Sequence, residues 1–438
     1  MENELLRYID NAGFNAVLSK AARRFADHAK TVLIIEPYGS SIALLLRGLE
    51  SGLNIILLTA NSDLRKISAT IIQSVQLAVE VDTANESVLF KLVDELRTVF
   101  KIDAVIPGFE YFVPAAARLA NYLGLPGINA VNIPGLRNKA VMRTRLASAG
   151  IALPAFVVVN TAGELQDAIR HVGFPAVCKP VDAAGSVHVR RVNNEIEAEQ
   201  AASCILHGKH VLWGYQLANQ LLYEEYVSGK EYSVEGTVTN GNILYFSITE
   251  KFLADQSEFV EIGHVVNTPI SAELKRKIMD YLNDVISVLQ PDYCPFHAEI
   301  RMTREGEPVL MEIAARLAGD KIGDLINISY GINYYDYIYA AYFGEVQSLP
   351  DIEGSIAGIR FFYRPQISSF VNVPKISMLP LDSDISCEEI KLYYQPNQPI
   401  PAFPKPLRRL GHVIVKCADY ERLLRTLNDI DQAAKFQV

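Results

Sequence analysis

Cysteine is scarce in this sequence and shows no pattern. The five cysteines (Cys178, Cys204, Cys294, Cys387, Cys417) are scattered over 438 residues with no CxxC pair and no zinc spacing. Free thiols in a reducing compartment follow, rather than a disulfide framework. Basic residues form no long run and the formal net charge is −9, which argues against a nucleic-acid partner. A single basic pocket would still suffice for a small polyanion. No stretch approaches the roughly 20 apolar residues of a membrane span. The acidic start Met1-Glu-Asn-Glu-Leu5 lacks the apolar run of a secretory signal, so a cytoplasmic location is expected. The loop at Gly39 has neither a GxGxxG nor a Walker A pattern, which favours a plain strand-to-helix turn over a dinucleotide site.

Half of the residues are hydrophobic and 21% are charged, enough for two or three cored domains. Apolar spacing near 3–4 predicts helix through residues 1–30. Buried-strand patterns at Thr31–Glu36, Asn54–Thr59 and Asp103–Pro107 alternate with helical runs, Ile42–Ser51 and Glu86–Phe100. This is a parallel sheet with crossover helices, a Rossmann-like α/β domain over residues 1–133. A helix is expected at 137–149. Short strands at 155–159, 174–179 and 186–192 are expected around one helix, 162–172. From Leu221 the pattern turns strand-rich, with helices at 271–289 and 320–331. A Pro-rich stretch, 395–406, precedes a last strand at 411–416 and a helix at 420–434.

Three segments carry chemistry. The string Phe296-His-Ala-Glu299-Ile-Arg-Met-Thr-Arg-Glu-Gly306-Glu-Pro-Val-Leu-Met-Glu312-Ile-Ala-Ala-Arg316 has the grammar of a β-hairpin. A two- or four-residue loop centred on Glu305-Gly306 pairs Arg304 with Glu307 and sets Glu299 opposite Glu312. A three- or five-residue loop would offset that pair by one. Facing carboxylates repel across a ladder, unless they share a hard divalent cation; a solvated face beside Arg301 is the alternative. Arg316, just past the strand, could meet phosphate oxygens or make a surface ion pair. Cys178-Lys179-Pro180 ends an apolar strand, followed by Asp182-Ala-Ala-Gly185-Ser186-Val-His188, whose small residues can approach phosphates. In Leu222-Tyr-Glu224-Glu225-Tyr226-Val227-Ser-Gly229-Lys-Glu231, backbone groups could meet an adenine edge and Glu231 a ribose. An exposed acidic hairpin is the other reading.

Together, from Pro134 to Gly344, these segments resemble the ATP-grasp superfamily in order and separation. The resemblance implies an ATP-grasp fold of α/β and α+β parts. Residues 1–133 form the pre-grasp domain, and 134–345 the grasp domain, divided into 134–212 and 213–345. Residues 346–438 form a C-terminal α+β subdomain. By the same resemblance Lys139 and Lys179 bind the ATP phosphates, and the loop 182–188, with Ser186, covers them. Glu224, Tyr226 and Val227 form the adenine hinge, and Glu231 meets the ribose. Glu299 and Glu312 hold two magnesium or manganese ions. Arg316 stabilises an acyl phosphate. The superfamily's Glu-x-Asn-x-Arg is here Glu312-Ile-Ala314-Ala-Arg316, a version similar to bacterial L-amino acid ligases, which form dipeptides and are related to the bacilysin ligase. His188 stands where glycine is common.

The implied reaction joins a small-molecule carboxylate to an amine through an acyl phosphate, releasing ADP and phosphate. The segment Phe259–Val266 is a candidate cover for the site. His264 and Lys321 are candidate substrate contacts, with a packed histidine and a surface lysine as the alternatives. Another ATP-grasp ligase or carboxylase, or a non-catalytic ATP-binding module, would share much of this pattern. The C-terminal segment could complete the substrate pocket or form a homodimer face.

Overall fold

Apolar runs buried on both faces build the first sheet. A computed structural model of the chain describes residues 5–8, 14–254, 259–351, 353–373, 384–401 and 408–437. The strands β1 (Leu6–Arg7), β2 (Thr31–Ile35), β3 (Asn54–Thr59), β4 (Leu77–Glu80) and β5 (Ala104–Pro107) lie in the order β1-β4-β3-β2-β5, all parallel. Every residue of β2, β3 and β5 is buried, as parallel strands covered by helices must be. The helices are α1 (Phe14–Ala21), α2 (Ser40–Glu50), α3 (Ala69–Ser74), α4 (Glu86–Leu96) and α5 (Val113–Leu123). The helix expected over residues 1–30 is present as α1 and a 3-10 turn at Ala22–Arg24, and is corrected at residues 5–8 and 25–30. Leu6 pairs with Val79 as an edge strand and packs against the sheet core. Residues 1–4 and 9–13 of that expected helix lie outside the described residues.

The carboxyl ends of β2 and β5 form the crevice where open α/β sheets bind nucleotides. Protein side chains fill it here. Glu36, at φ 54°, accepts from Thr59 Oγ1 at 3.0 Å and Arg65 Nε at 2.7 Å. The Arg65 guanidinium lies 3.8 Å from the Trp213 ring centroid, and Trp213 packs on Tyr38 and Phe109. The turn at Gly39 is therefore structural.

The second sheet begins after α6 (Ile133–Arg137) and α7 (Lys139–Ser148). It contains β6 (Phe156–Val159), β7 (Ala176–Pro180), β8 (Arg190–Val192) and β11 (Leu221–Glu225), in the order β6-β11-β7-β8. Helices α8 (Leu165–Val172) and α9 (Glu195–His207) cover it, and β9 (Val211–Leu212) and β10 (Tyr215–Gln216) pair separately. The strand expected over 186–192 shrinks to β8, because Gly185, Ser186 and His188 have φ of 68°, 54° and 59°, outside the extended region. The subdomain boundary expected at 212/213 falls between β9 and β10. The chain changes sheets later, between Glu225 and Glu231.

The third sheet is antiparallel. It contains β12 (Glu231–Thr239), β13 (Asn242–Leu253), β14 (Glu261–Val266), β15 (Cys294–Met302), β16 (Pro308–Ala314), β17 (Ile356–Tyr363), β18 (Ser386–Leu392) and β19 (Arg409–Cys417). Their order is β16-β15-β12-β13-β14-β17-β19-β18. Helices α10 (Ala272–Leu289), α11 (Ile322–Tyr330), α12 (Tyr334–Tyr342) and α13 (Tyr420–Ala433) pack on it. The C-terminal segment thus adds three strands to the large sheet. The segment 259–266, expected as a cover, contains β14, which is paired on both edges. Part of the Pro-rich stretch, 402–407, lies outside the described residues. Among the described residues no helix is long and apolar enough to cross a membrane.

Gly108 fixes the crevice geometry. A Cβ there would lie 2.4 Å from the Glu36 carbonyl oxygen and 2.5 Å from Pro37 Cα, and both are backbone atoms. Gly108→Ala should cost about 1–3 kcal/mol, read as a lower urea midpoint. An unchanged midpoint would mean that the turn relaxes freely.

Candidate active site

Alternation along the large sheet sorts its residues by face. On β15, Phe296, Ala298, Ile300 and Met302 enter the apolar core, while His297, Glu299 and Arg301 alternate with them. The hairpin β15–β16 closes through Arg304–Gly306, where the Thr303 N–H donates to the Glu307 carbonyl at 2.8 Å. This three-residue loop is not the expected two- or four-residue one. Continued unbroken, its register would set Glu299 against Met311. A bulge between Glu299 and Ile300 absorbs the offset, and Glu299 faces Glu312. The carbonyl of the bulged Met311 accepts from Arg143 Nη2 at 3.1 Å and Lys179 Nζ at 3.4 Å.

Each buried cation here has a carboxylate partner from another element. Glu224 on β11, fully buried, pairs with Lys179 and with Arg143 Nη2 at 3.0 Å. Burial alone would raise the Glu224 pKa, but Lys179 and Arg143 hold it below the ordinary value. Burial lowers the Lys179 pKa, and Glu224 opposes that. Lys139 donates to the Ala183 carbonyl at 2.8 Å and pairs with Glu312 at 2.9 Å. Arg316 Nε lies 2.5 Å from Glu110, a fully buried residue just past β5. Lys251 on β13 is enclosed by Glu299 at 2.7 Å, Glu261 at 2.8 Å and Glu231 at 2.9 Å. Burial would lower its pKa, yet the three carboxylates hold it well above the usual lysine value.

These placements put strands of the second and third sheets and the end of β5 around one cleft. A model of the ATP-grasp domain matches residues 172–324, and one of the ATP-grasp N-terminal domain matches residues 50–127. The chain carries an ATP-grasp domain. An uncharacterized protein y4rH of Sinorhizobium fredii is 26% identical over 334 residues, 76% of this chain and 68% of that protein. An alanine–anticapsin ligase of Bacillus subtilis is 26% identical over 303 residues, 64% of this chain and 62% of the ligase. The match thus spans about three fifths of that ligase's length. The crystal structure of an L-amino acid ligase from Bacillus licheniformis superposes with a TM-score of 0.79 at 20% identity, covering 94% of this chain and 100% of that one; this is a likeness of fold.

Within the ATP-grasp domain the residues singled out from sequence gather in two groups. Lys139, Lys179, Glu224, Glu231, Glu299, Glu312 and Arg316 join the ion-pair system above. The Glu224 side chain faces Lys179, and its backbone sits inside the ladder between β6 and β7. The neighbouring Tyr226 N–H donates to the Pro175 carbonyl at 3.2 Å, and the Val227 carbonyl accepts from Arg301 at 2.8 Å. Glu231 pairs with Arg301 at 2.7 Å as well as with Lys251. Ser186 lies in the loop 182–188, whose Asp182 carboxylate accepts from the Ala218 N–H and the Tyr215 hydroxyl.

His264 and Lys321 lie in the second group, toward β17–β19. His264 Nε2 is 3.0 Å from Asp320, and its buried Nδ1 has no hydrogen-bond partner among the described residues. Asp320 also pairs with Arg409 at 2.6 Å. Burial would raise the Asp320 pKa, but Arg409 and His264 hold it well below the carboxylate range. Lys321 is held by Asp324 at 2.9 Å and Glu389 at 3.0 Å.

Sequence reading missed Glu110, Arg143, Lys251, Glu261 and Arg409. Two of them left a signal: Lys251 interrupts an apolar strand, and Glu110 follows the carboxyl end of a parallel strand.

The donor set fits a hard cation. Glu299 and Glu312 face each other with side chains 24% and 30% exposed, Lys139 pairing with Glu312 and Lys251 and His297 with Glu299, and carboxylate oxygens suit magnesium.

Two stability effects follow. Glu224→Gln leaves Lys179 and Arg143 buried without their anion and should cost about 3 kcal/mol. Glu312→Gln, at a partly exposed pair, should cost under about 1 kcal/mol. Denaturant titration separates them, and equal losses would refute the distinction. His297 gives a pH effect. Burial lowers its pKa, but hydrogen bonds to Glu235 and Glu299 raise it to about 9. Its charge therefore stabilises the fold fully below about pH 6.5, and this contribution, about 3 kcal/mol, disappears as pH rises through 9. Stability measured at pH 6.5 and 9.5 should fall more in the wild type than in His297→Gln; parallel falls would contradict the assignment.

Proposed function

We propose that this chain is an ATP-dependent ligase that activates the carboxylate of an amino acid as an acyl phosphate and joins it to an amine. The observation that carries the reading is the set of ion pairs around β15–β16. Lys139, Lys179, Lys251 and Arg316 are built in as cations, each held by a carboxylate, and at the partly exposed pair Lys139–Glu312 a phosphate oxygen could replace it. Such a set does the main work of phosphoryl transfer, positioning plus electrostatic stabilisation. Magnesium, held by Glu299 and Glu312, would neutralise charge on the phosphate oxygens.

A substrate carboxylate oxygen attacks the γ-phosphorus, and the bond to the ADP oxygen breaks. Lys139 and Lys179 meet phosphate oxygens, and Arg316 meets charge on the acyl phosphate. The amine then attacks the acyl carbon, phosphate leaves, and the amine proton passes to solvent. Loop 182–188 excludes water between the two steps, because hydrolysis competes. The second group supports an amino-acid substrate. It offers acids (Glu261, Asp320) beside cations (Arg409, Lys321), the two charges a zwitterion needs, around the buried His264 ring. The likeness to a ligase named for alanine and anticapsin points the same way.

The test is phosphate release from ATP and magnesium with pooled amino acids, read together with product mass. Amino-acid-dependent release with a dipeptide mass is expected. Release with a different acid or amine would assign another ATP-grasp ligase, and ATP binding with no release would leave a binding module. Glu312→Gln should lower turnover at least about 100-fold; wild-type-like turnover would reject the metal assignment.

A further inference from the structure

The loop 182–188 ends in a cluster that the proposed reaction does not use. His188 closes the loop, Cys204 lies in the last turn of α9, and His210 follows that helix. One ring nitrogen from each histidine and Cys204 Sγ lie within 4.8 Å of one another. His188 Nε2 is 3.1 Å from His210 Nδ1, and His188 Nδ1 is 3.6 Å from Cys204 Sγ. Tetrahedral zinc, with bonds of about 2.0–2.1 Å to nitrogen and about 2.3 Å to sulfur, spaces its ligands about 3.3–3.6 Å apart. The two separations lie near that spacing, through different nitrogens of the His188 ring, so binding requires that ring to turn.

The surroundings prepare these donors. His210 Nε2 lies 2.9 Å from the Cys204 carbonyl. A carbonyl only accepts, so Nε2 carries the proton and Nδ1 presents its lone pair. A hydrogen bond of this kind orients a ligand imidazole. Gly208 makes the fold-back possible, because a Cβ there would lie 1.9 Å from His210 Nε2 and 2.5 Å from the Cys204 carbonyl oxygen. Burial, then His210 and Arg190, push the His188 pKa below its ordinary value, which keeps the ring neutral as a metal requires. Cys204 is exposed, so forming its thiolate needs no burial of charge.

We propose that His188, Cys204 and His210 form a binding site for a thiolate-preferring divalent ion such as zinc, and that the ion pins the loop to α9. The ion takes the place of the thiol proton, which passes to solvent, and the proton between the two rings moves to the His188 nitrogen that does not bind the ion. Two imidazoles and a thiolate differ in kind from the carboxylates Glu299 and Glu312, so zinc and magnesium sort by ligand softness. The site itself does not depend on the proposed ligase activity.

Cobalt(II) titration of the chelator-treated full chain, with magnesium present, tests the site. One ion should bind with a thiolate-to-cobalt charge-transfer band. That band should vanish in Cys204→Ser, and affinity should fall at least about tenfold in His210→Gln. A band that survives Cys204→Ser, or no cobalt binding, overturns the site. Hydrogen exchange tests the pinning. Zinc should slow amide exchange at 184–190 at least about tenfold in the wild type and leave Cys204→Ser unchanged. Equal exchange with and without zinc overturns the pinning.

Discussion

The cleft depends on one electrostatic constraint: a charge taken out of water must meet an opposite charge. A buried ion loses several kcal/mol of hydration, and an opposite charge restores that only at close range and with its hydrogen bonds satisfied. Glu224 shows the consequence. It leaves β11 with almost no exposure, and Lys179 of β7 and Arg143 of α7 close on it from two sides. The same two cations reach the Met311 carbonyl on β16, so a single anion ties the second sheet to the third. Glu110 does this for the first sheet, holding Arg316 at 2.5 Å with Arg137 at 3.9 Å. The three sheets are registered against one another by charges that would otherwise be costly.

That arrangement also stores what phosphate binding needs. The cations are already dehydrated and positioned, and their present partners are side-chain carboxylates. An incoming phosphate oxygen exchanges one anion for another and does not bury a bare charge. The partly exposed pair Lys139–Glu312 is the easier exchange; the enclosed pairs serve as its frame. Lys251 differs in degree, since three carboxylates share one ammonium, with Arg301 also on Glu231 and His297 also on Glu299.

The sheets were largely legible in the sequence because burial leaves a local trace. β2, β3 and β5 read as apolar runs, β19 as the strand before the last helix, and α10 and α13 from apolar spacing. Helix α9 escaped because its buried side is mostly alanine (Ala198, Ala201, Ala202), which gives little hydrophobic contrast; its Asn194 cap, accepting from the Glu197 N–H, was the available sign. The facing pair Glu299–Glu312 was legible, although the three-residue loop and the bulge reach it by another path. The partners of the site residues were not legible. Arg316 and Glu110 are 206 residues apart, and Arg143 and Glu224 are 81 apart, so only the packed fold brings them together.

The departure at residue 314 has a structural counterpart. Ala314 pairs across the hairpin with His297, so these two share a face with Glu299 and Glu312. A small side chain at 314 leaves that face to the imidazole. His297 spans Glu235 at 2.9 Å and Glu299 at 3.3 Å, and the Thr249 hydroxyl secures the other oxygen of Glu235 at 2.6 Å. Glu299 is therefore fixed by a charged donor on one side and by Lys251 on the other. An asparagine at 314 would add a neutral oxygen. With alanine there, the Glu299 pKa is held well below the ordinary value, against its burial, by Lys251 and His297. The hairpin has one donor fewer, and Glu299 is aimed by Lys251 and His297.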